Sequence, residues 1–125
     1  MSPDAQSSAL SGLRILVVED EMMLAMLIED WLEMLDYQAV KAARLEKAVA
    51  LAESEDFDGA LLDVNLGGKR CYPIAEALDR RGIPFIFMTG YGGDMLREDF
   101  RDRPVVQKPF QLEEIERLMT DTFVS

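Results

Sequence analysis

Gly59-Ala60-Leu61-Leu62-Asp63-Val64-Asn65 decides the fold of this 125-residue chain. A strand with one wet face alternates apolar and polar residues, whereas residues 60–64 are apolar almost without a break. That pattern suits a parallel strand covered on both faces. Three other runs have the same form. Ile15-Leu16-Val17-Val18 leads into Glu19-Asp20-Glu21, Phe85-Ile86-Phe87-Met88 into Thr89, and Val105-Val106 towards Lys108-Pro109. In a parallel sheet the C-terminal strand ends share one edge, where open α/β folds bind ligands. Carboxylates, a hydroxyl and an ammonium would converge there, with Asn65 just beyond Asp63. Such a place suits a divalent cation and a phosphoryl group.

Outward from that stretch, helical and strand periodicities alternate. Strands are predicted at residues 13–18, 38–42, 60–64, 83–88 and 104–106. Helices are predicted at 22–35, 45–53, from Pro73 to a stop at Gly82, at 94–100 and at 111–122. The first helix places Leu24, Leu27, Ile28, Trp31 and Leu35 inward. The second turns Leu45, Ala48, Val49 and Ala52 to one side, and the last turns Leu112, Ile115, Leu118 and Met119 inward. Residues 65–70 read as a loop, and residues 1–11 as a flexible N-terminal tail before one domain over 12–125. Five βα units argue for a doubly wound five-stranded parallel sheet of flavodoxin-like order 2-1-3-4-5. Right-handed crossovers put the first and last helices on one face and the other three on the opposite face.

Composition narrows the chemistry. The formal charge of −11 argues against non-specific nucleic-acid binding, which depends on Lys and Arg neutralising phosphates. No apolar run approaches the roughly 20 residues of a membrane span. The single cysteine, Cys71, allows no internal disulfide. It reads as a semi-buried packing residue in a protein of the reducing cytoplasm. The chain has no histidine, so a bound metal should be hard and oxygen-ligated, Mg²⁺ or Mn²⁺.

Glu19-Asp20, Asp63, Thr89 and Lys108-Pro109, each after its strand and in this order, resemble the receiver domain of two-component response regulators. The resemblance covers residues 12–124. Phe87-Met88-Thr89-Gly90-Tyr91-Gly92, Asn65-Leu66-Gly67-Gly68 and Tyr72-Pro73 resemble its FAT GUY subgroup, although here the tyrosine follows Gly90 directly. The subgroup's members are typically stand-alone receivers paired with sensor kinases of the HWE or related type.

The resemblance implies a role for each residue. Asp63 is the phosphoacceptor, since a carboxylate can attack phosphorus and hold an aspartyl phosphate. Asp20 and Asp63 are direct Mg²⁺ ligands, the Asn65 backbone carbonyl is a third, and Glu19 reaches the metal through water. Lys108 pairs with Asp63, then with a phosphoryl oxygen, and its bond to Pro109 is expected to be cis. Thr89 donates its hydroxyl to the phosphoryl group. Glu21 is a helix-start charge. An aromatic switch residue is missing, because Val105 holds its position; Tyr91 is a substitute candidate. Gly90, Gly92 and Gly93 make the following loop permissive, and an order–disorder switch is expected across 90–103.

The function implied is that of a single-domain regulator phosphorylated by a histidine kinase or histidine phosphotransfer protein. It would then signal by protein contact, or serve as phosphate sink or relay. Its catalysis would be limited to its own phosphorylation and dephosphorylation. Met22 and Met26, beside Glu29 and Glu33, offer an adaptable surface for the kinase. One alternative is a haloacid-dehalogenase-like phosphohydrolase, which needs a second aspartate where Asn65 stands. The other is a phosphorylation-independent binding module, against which the full set of site groups argues.

Overall fold

The computed structural model describes residues 12–90 and 96–124. The predicted tail, the Tyr91 switch candidate, Gly92, Gly93 and the start of the predicted fourth helix at Asp94 lie outside the described residues.

Strands β1 (Arg14–Val18), β2 (Gln38–Ala42) and β3 (Gly59–Asp63) are followed by two short strands, β4 (Asn65–Leu66) and β5 (Lys69–Arg70). Strands β6 (Phe85–Thr89) and β7 (Val105–Gln107) complete the set. The main sheet is parallel in the order β2-β1-β3-β6-β7, which is the predicted order once the β4–β5 hairpin is set aside. All five residues of β3 and of β6 are buried, as two-sided coverage requires.

Helices α1 (Met22–Met34) and α4 (Leu112–Phe123) cover one face. Their Ile28, Leu32, Ile115 and Met119 pack with Ile15, Val17, Leu61, Ile86 and Met88. Helices α2 (Leu45–Ser54) and α3 (Tyr72–Arg80) cover the other face, packing Ala48, Ala52, Ile74 and Leu78 on Leu16, Leu62, Phe85 and Phe87. Between β6 and β7 the described residues form a 3₁₀ turn, Glu98–Phe100, where part of the short fourth helix was expected. The backbone of Arg97 is extended before that turn. Its N–H donates to the Tyr72 hydroxyl at 2.8 Å, which docks the turn on α3.

Three expectations change in detail. Leu27 is 52% exposed, and Ala25 and Leu32 join Ile28 in the buried stripe of α1. At about 100° per residue, Leu27 falls just past the edge of the arc running from Trp31 through Ile28 to Ala25. Trp31 is half-buried at that edge. Cys71 is fully buried rather than semi-buried, held where its N–H donates to the Val64 carbonyl at 3.0 Å. The stretch read as the 65–70 loop is the β4–β5 hairpin.

Candidate functional site

Register explains how distant residues meet. Val18 lies beside Leu62, so Glu19 and Asp20 leave β1 next to the end of β3. Asp63 lies beside Met88, and Thr89 beside Gln107. The Lys108 N–H donates to the Thr89 carbonyl at 2.7 Å, which places Lys108 at the same edge. The Lys108–Pro109 bond is cis. Glu21 stands at the N-cap position of α1, with its N–H donating to Glu19 Oε2 at 3.0 Å.

The strand-end groups converge. Lys108 Nζ donates to Glu19 Oε1 at 2.7 Å and to Asp63 Oδ2 at 3.2 Å. Glu19, Asp63 and Thr89 are buried, whereas Asp20 is exposed. Oxygen atoms of Glu19, Asp20 and Asp63 lie within 4.8 Å of one another. An all-oxygen set of carboxylates fits a hard divalent cation, and two or more unscreened carboxylates this close favour one. Asn65 directs its N–H to Asp63 Oδ1 at 3.2 Å, while its side-chain oxygen accepts from the Gly68 N–H at 2.8 Å.

Two contacts were not foreseen in the sequence. Lys108 sits closer to Glu19 than to Asp63. The Gly67 N–H donates to Asp20 Oδ2 at 2.9 Å. A Gly-Gly pair is a recognised two-residue hairpin signal, but its flanking strands here are too short for periodicity to show them.

Burial pushes the Glu19 carboxyl up to about 7, against the opposing pull of Lys108 and the Glu21 N–H. Burial also raises Asp63, although Lys108 opposes it. For Lys108, burial alone would lower the ammonium, but Glu19 and Asp63 outweigh it and the net direction is up. A carboxyl raised on folding holds its proton longer in the native state than in the unfolded chain. Stability from this source is therefore full below the ordinary carboxyl range and lost as pH rises through the folded value. The metal-free protein is expected to melt at progressively lower temperature as pH rises from 4.5 to about 7. Glu19→Gln should flatten that slope; melts in EDTA across this window check both.

Among the described residues no helix is long and apolar enough to cross a membrane. A family model described as the response regulator receiver domain matches residues 15–120. The probable transcriptional regulator ycf27 of Cyanophora paradoxa is 31% identical over 113 residues, which is 82% of this chain and 45% of that protein. The chain spans about half the length of the curated relatives it matches. Among solved structures, SdrG from Sphingomonas melonis Fr1 is 46% identical with a TM-score of 0.76, covering 90% of this chain and 96% of that one. A BeF3-activated conformation of SdrG also matches, at 45% identity and a TM-score of 0.72, covering 88% of this chain and 96% of that one. The receiver domain of sensor histidine kinase PA1611 from Pseudomonas aeruginosa PAO1 was solved with a magnesium ion coordinated in its active-site cleft. It is 27% identical with a TM-score of 0.80, covering 92% of this chain and 100% of that one.

Proposed function

The chain belongs to the family of response regulator receiver domains, and on that premise we propose that it takes a phosphoryl group onto Asp63 from a histidine of a partner kinase or phosphotransfer protein. The observation that carries the assignment is the position of Asp63. It ends the central strand, is buried, lies 3.2 Å from Lys108 Nζ and shares an oxygen cluster with Glu19 and Asp20.

An Asp63 oxygen attacks phosphorus as the phosphorus–nitrogen bond to the imidazole breaks. The imidazole leaves with that electron pair. The work of the chain is positioning and charge balance. Asp20, Asp63 and the Asn65 carbonyl would hold Mg²⁺, or Mn²⁺, with Glu19 linked through water. The cation would offset the gathering negative charge on the phosphoryl oxygens. Lys108 is anchored by Glu19, so it can exchange Asp63 for a phosphoryl oxygen without losing its place. Thr89 donates its hydroxyl to another phosphoryl oxygen, at the head of the segment leading to the 3₁₀ turn. The test is Mg²⁺-dependent labelling that Asp63→Asn removes.

Phe87-Met88-Thr89-Gly90-Tyr91-Gly92 supports assignment to the FAT GUY subgroup and hence a kinase of the HWE or related type. The signal would pass by protein contact, or the phosphate would be stored or relayed. The net charge of −11 disfavours nucleic acid as the target, and cytoplasmic placement fits this partnership.

The face of α1 supports kinase docking. Met22 and Met26 are 74% and 47% exposed, and Met23 and Leu27 border a groove of about 490 Å³ with Glu21 and Asp30. Placing Asp at both 22 and 26 would bury charge in that contact. Uptake from the kinase is expected to slow about tenfold or more, since tenfold is only about 1.4 kcal/mol. Uptake from a small phosphodonor should stay at the wild-type rate. Stopped-flow comparison of the two donors checks this, and equal slowing with both would place the defect in the site.

A further inference from the structure

We infer that the β4–β5 hairpin is a positioning element for Asp20, with the Gly67 N–H as the group that acts. This rests on the reading of Asp20 as a metal ligand.

Asp20 is exposed. Its side chain would otherwise have its rotamers to lose when it takes up a ligand. Among the described residues, Gly67 supplies the donor that holds this carboxylate, at 2.9 Å to Oδ2. One oxygen is held, and among the described residues the other accepts no hydrogen bond. Partners of this kind orient metal ligands, and losing one typically costs about 10–100-fold in metal affinity.

The hairpin is built to deliver that N–H. Gly67 and Gly68 both have positive φ, +59° and +92°, as the tightest two-residue hairpin turn requires. The Gly68 N–H is taken by the Asn65 side chain, which closes the turn and leaves the Gly67 N–H for Asp20. Leu66, only 5% exposed, anchors one strand in the core, and the other leads into the buried Cys71. Val64, just ahead of the hairpin, is fixed because its N–H donates to the Met88 carbonyl at 3.0 Å. The turn is thus tied to the strand end that carries Asp63, so the two aspartates are held relative to each other. Backbone conformation, not space, favours glycine or asparagine at 67, because an added Cβ would meet only Asp20 Oδ2 at 3.9 Å.

Two variants and one wild-type measurement test this. Gly67→Pro removes the N–H and forces φ negative. Gly67→Asn keeps the N–H and tolerates positive φ. In Mg²⁺ titrations followed by amide NMR, Gly67→Pro is expected to bind at least about tenfold more weakly. Gly67→Asn is expected to bind close to wild type. In the wild type, exchange of the Gly67 amide should slow on Mg²⁺ addition, a reading that stands even if the proline variant does not fold. Equal or tighter binding by folded Gly67→Pro overturns the inference, as does faster Gly67 exchange with Mg²⁺. If the wild type itself binds no Mg²⁺, the metal assignment of Asp20 falls, and this inference with it.

Discussion

Asp63→Asn is expected to reduce phosphoryl labelling from a histidine phosphodonor by more than about a thousandfold, the scale on which removing a nucleophile acts. Asparagine keeps the shape of the side chain but lacks an anionic oxygen to attack phosphorus. It also removes one charge from the oxygen cluster, so cation affinity should fall. The fold should survive, since Lys108 keeps its shorter contact to Glu19 at 2.7 Å. Stability at neutral pH should hold or rise, because the substitution removes a buried carboxyl whose ionisation is disfavoured. The measurement is transfer of labelled phosphate, with Mg²⁺ and with EDTA. Wild-type label should be stoichiometric, acid-stable and alkali-labile, as an acyl phosphate is. Equal labelling of both proteins would remove Asp63 from the role. Sustained turnover of p-nitrophenyl phosphate by the wild type would instead favour a phosphohydrolase. For that chemistry the Asn65 side chain is poorly suited, since its amide cannot serve as a general acid and its oxygen closes the hairpin.

The parts legible in sequence were those written in consecutive residues. Gly59–Asp63 and Phe85–Thr89 are apolar throughout because both faces are covered, so their burial could be read directly. The parallel sheet followed from the alternation of elements and its order from one of the two common doubly wound arrangements, and register then brought Asp63, Thr89 and Lys108 to one edge. What stayed hidden depends on angles or on partners distant in the chain. Leu27 is as apolar as Ile28, yet one step of helical rotation leaves it exposed. The preference of Lys108 for Glu19 spans 89 positions, and the Gly67–Asp20 bond spans 47. Nothing local distinguishes those pairs from other carboxylates and donors. Burial decides the first, because the Glu19 carboxylate is enclosed where the Lys108 ammonium can reach it.

Phe100→Ala is expected to destabilise the protein by about 3–5 kcal/mol, the usual cost of emptying a large aromatic site. That is a large share of the roughly 5–15 kcal/mol that holds a domain of this kind together. Phe100 is the hub of a cluster between the 3₁₀ turn, α3 and β6. Its ring stacks on Tyr72 at 5.8 Å and meets Phe85 and Phe87 edge-on at 5.9 and 5.8 Å. Arg97 and Arg103 lie over the same ring at 5.0 and 5.4 Å, and each also pairs with a carboxylate of α3, Glu76 and Asp79 respectively. Truncation therefore removes more than buried area. It also removes one of the two ring faces that each guanidinium covers, since Arg97 lies over Tyr72 and Arg103 over Phe85 as well. Phe87 precedes Thr89 by two residues, so both side chains leave β6 on the same face. The ring cluster therefore buttresses the strand that carries the site hydroxyl, a support that Val105, 45% exposed on β7, does not supply. Urea melts should show the full loss for Phe100→Ala and a much smaller one for Val105→Ala. Amide exchange should also rise first at residues 96–103, below the level of global unfolding. A loss under about 0.5 kcal/mol, within the range of ordinary surface changes, would mean that the turn is held by its arginine pairs and not by the ring.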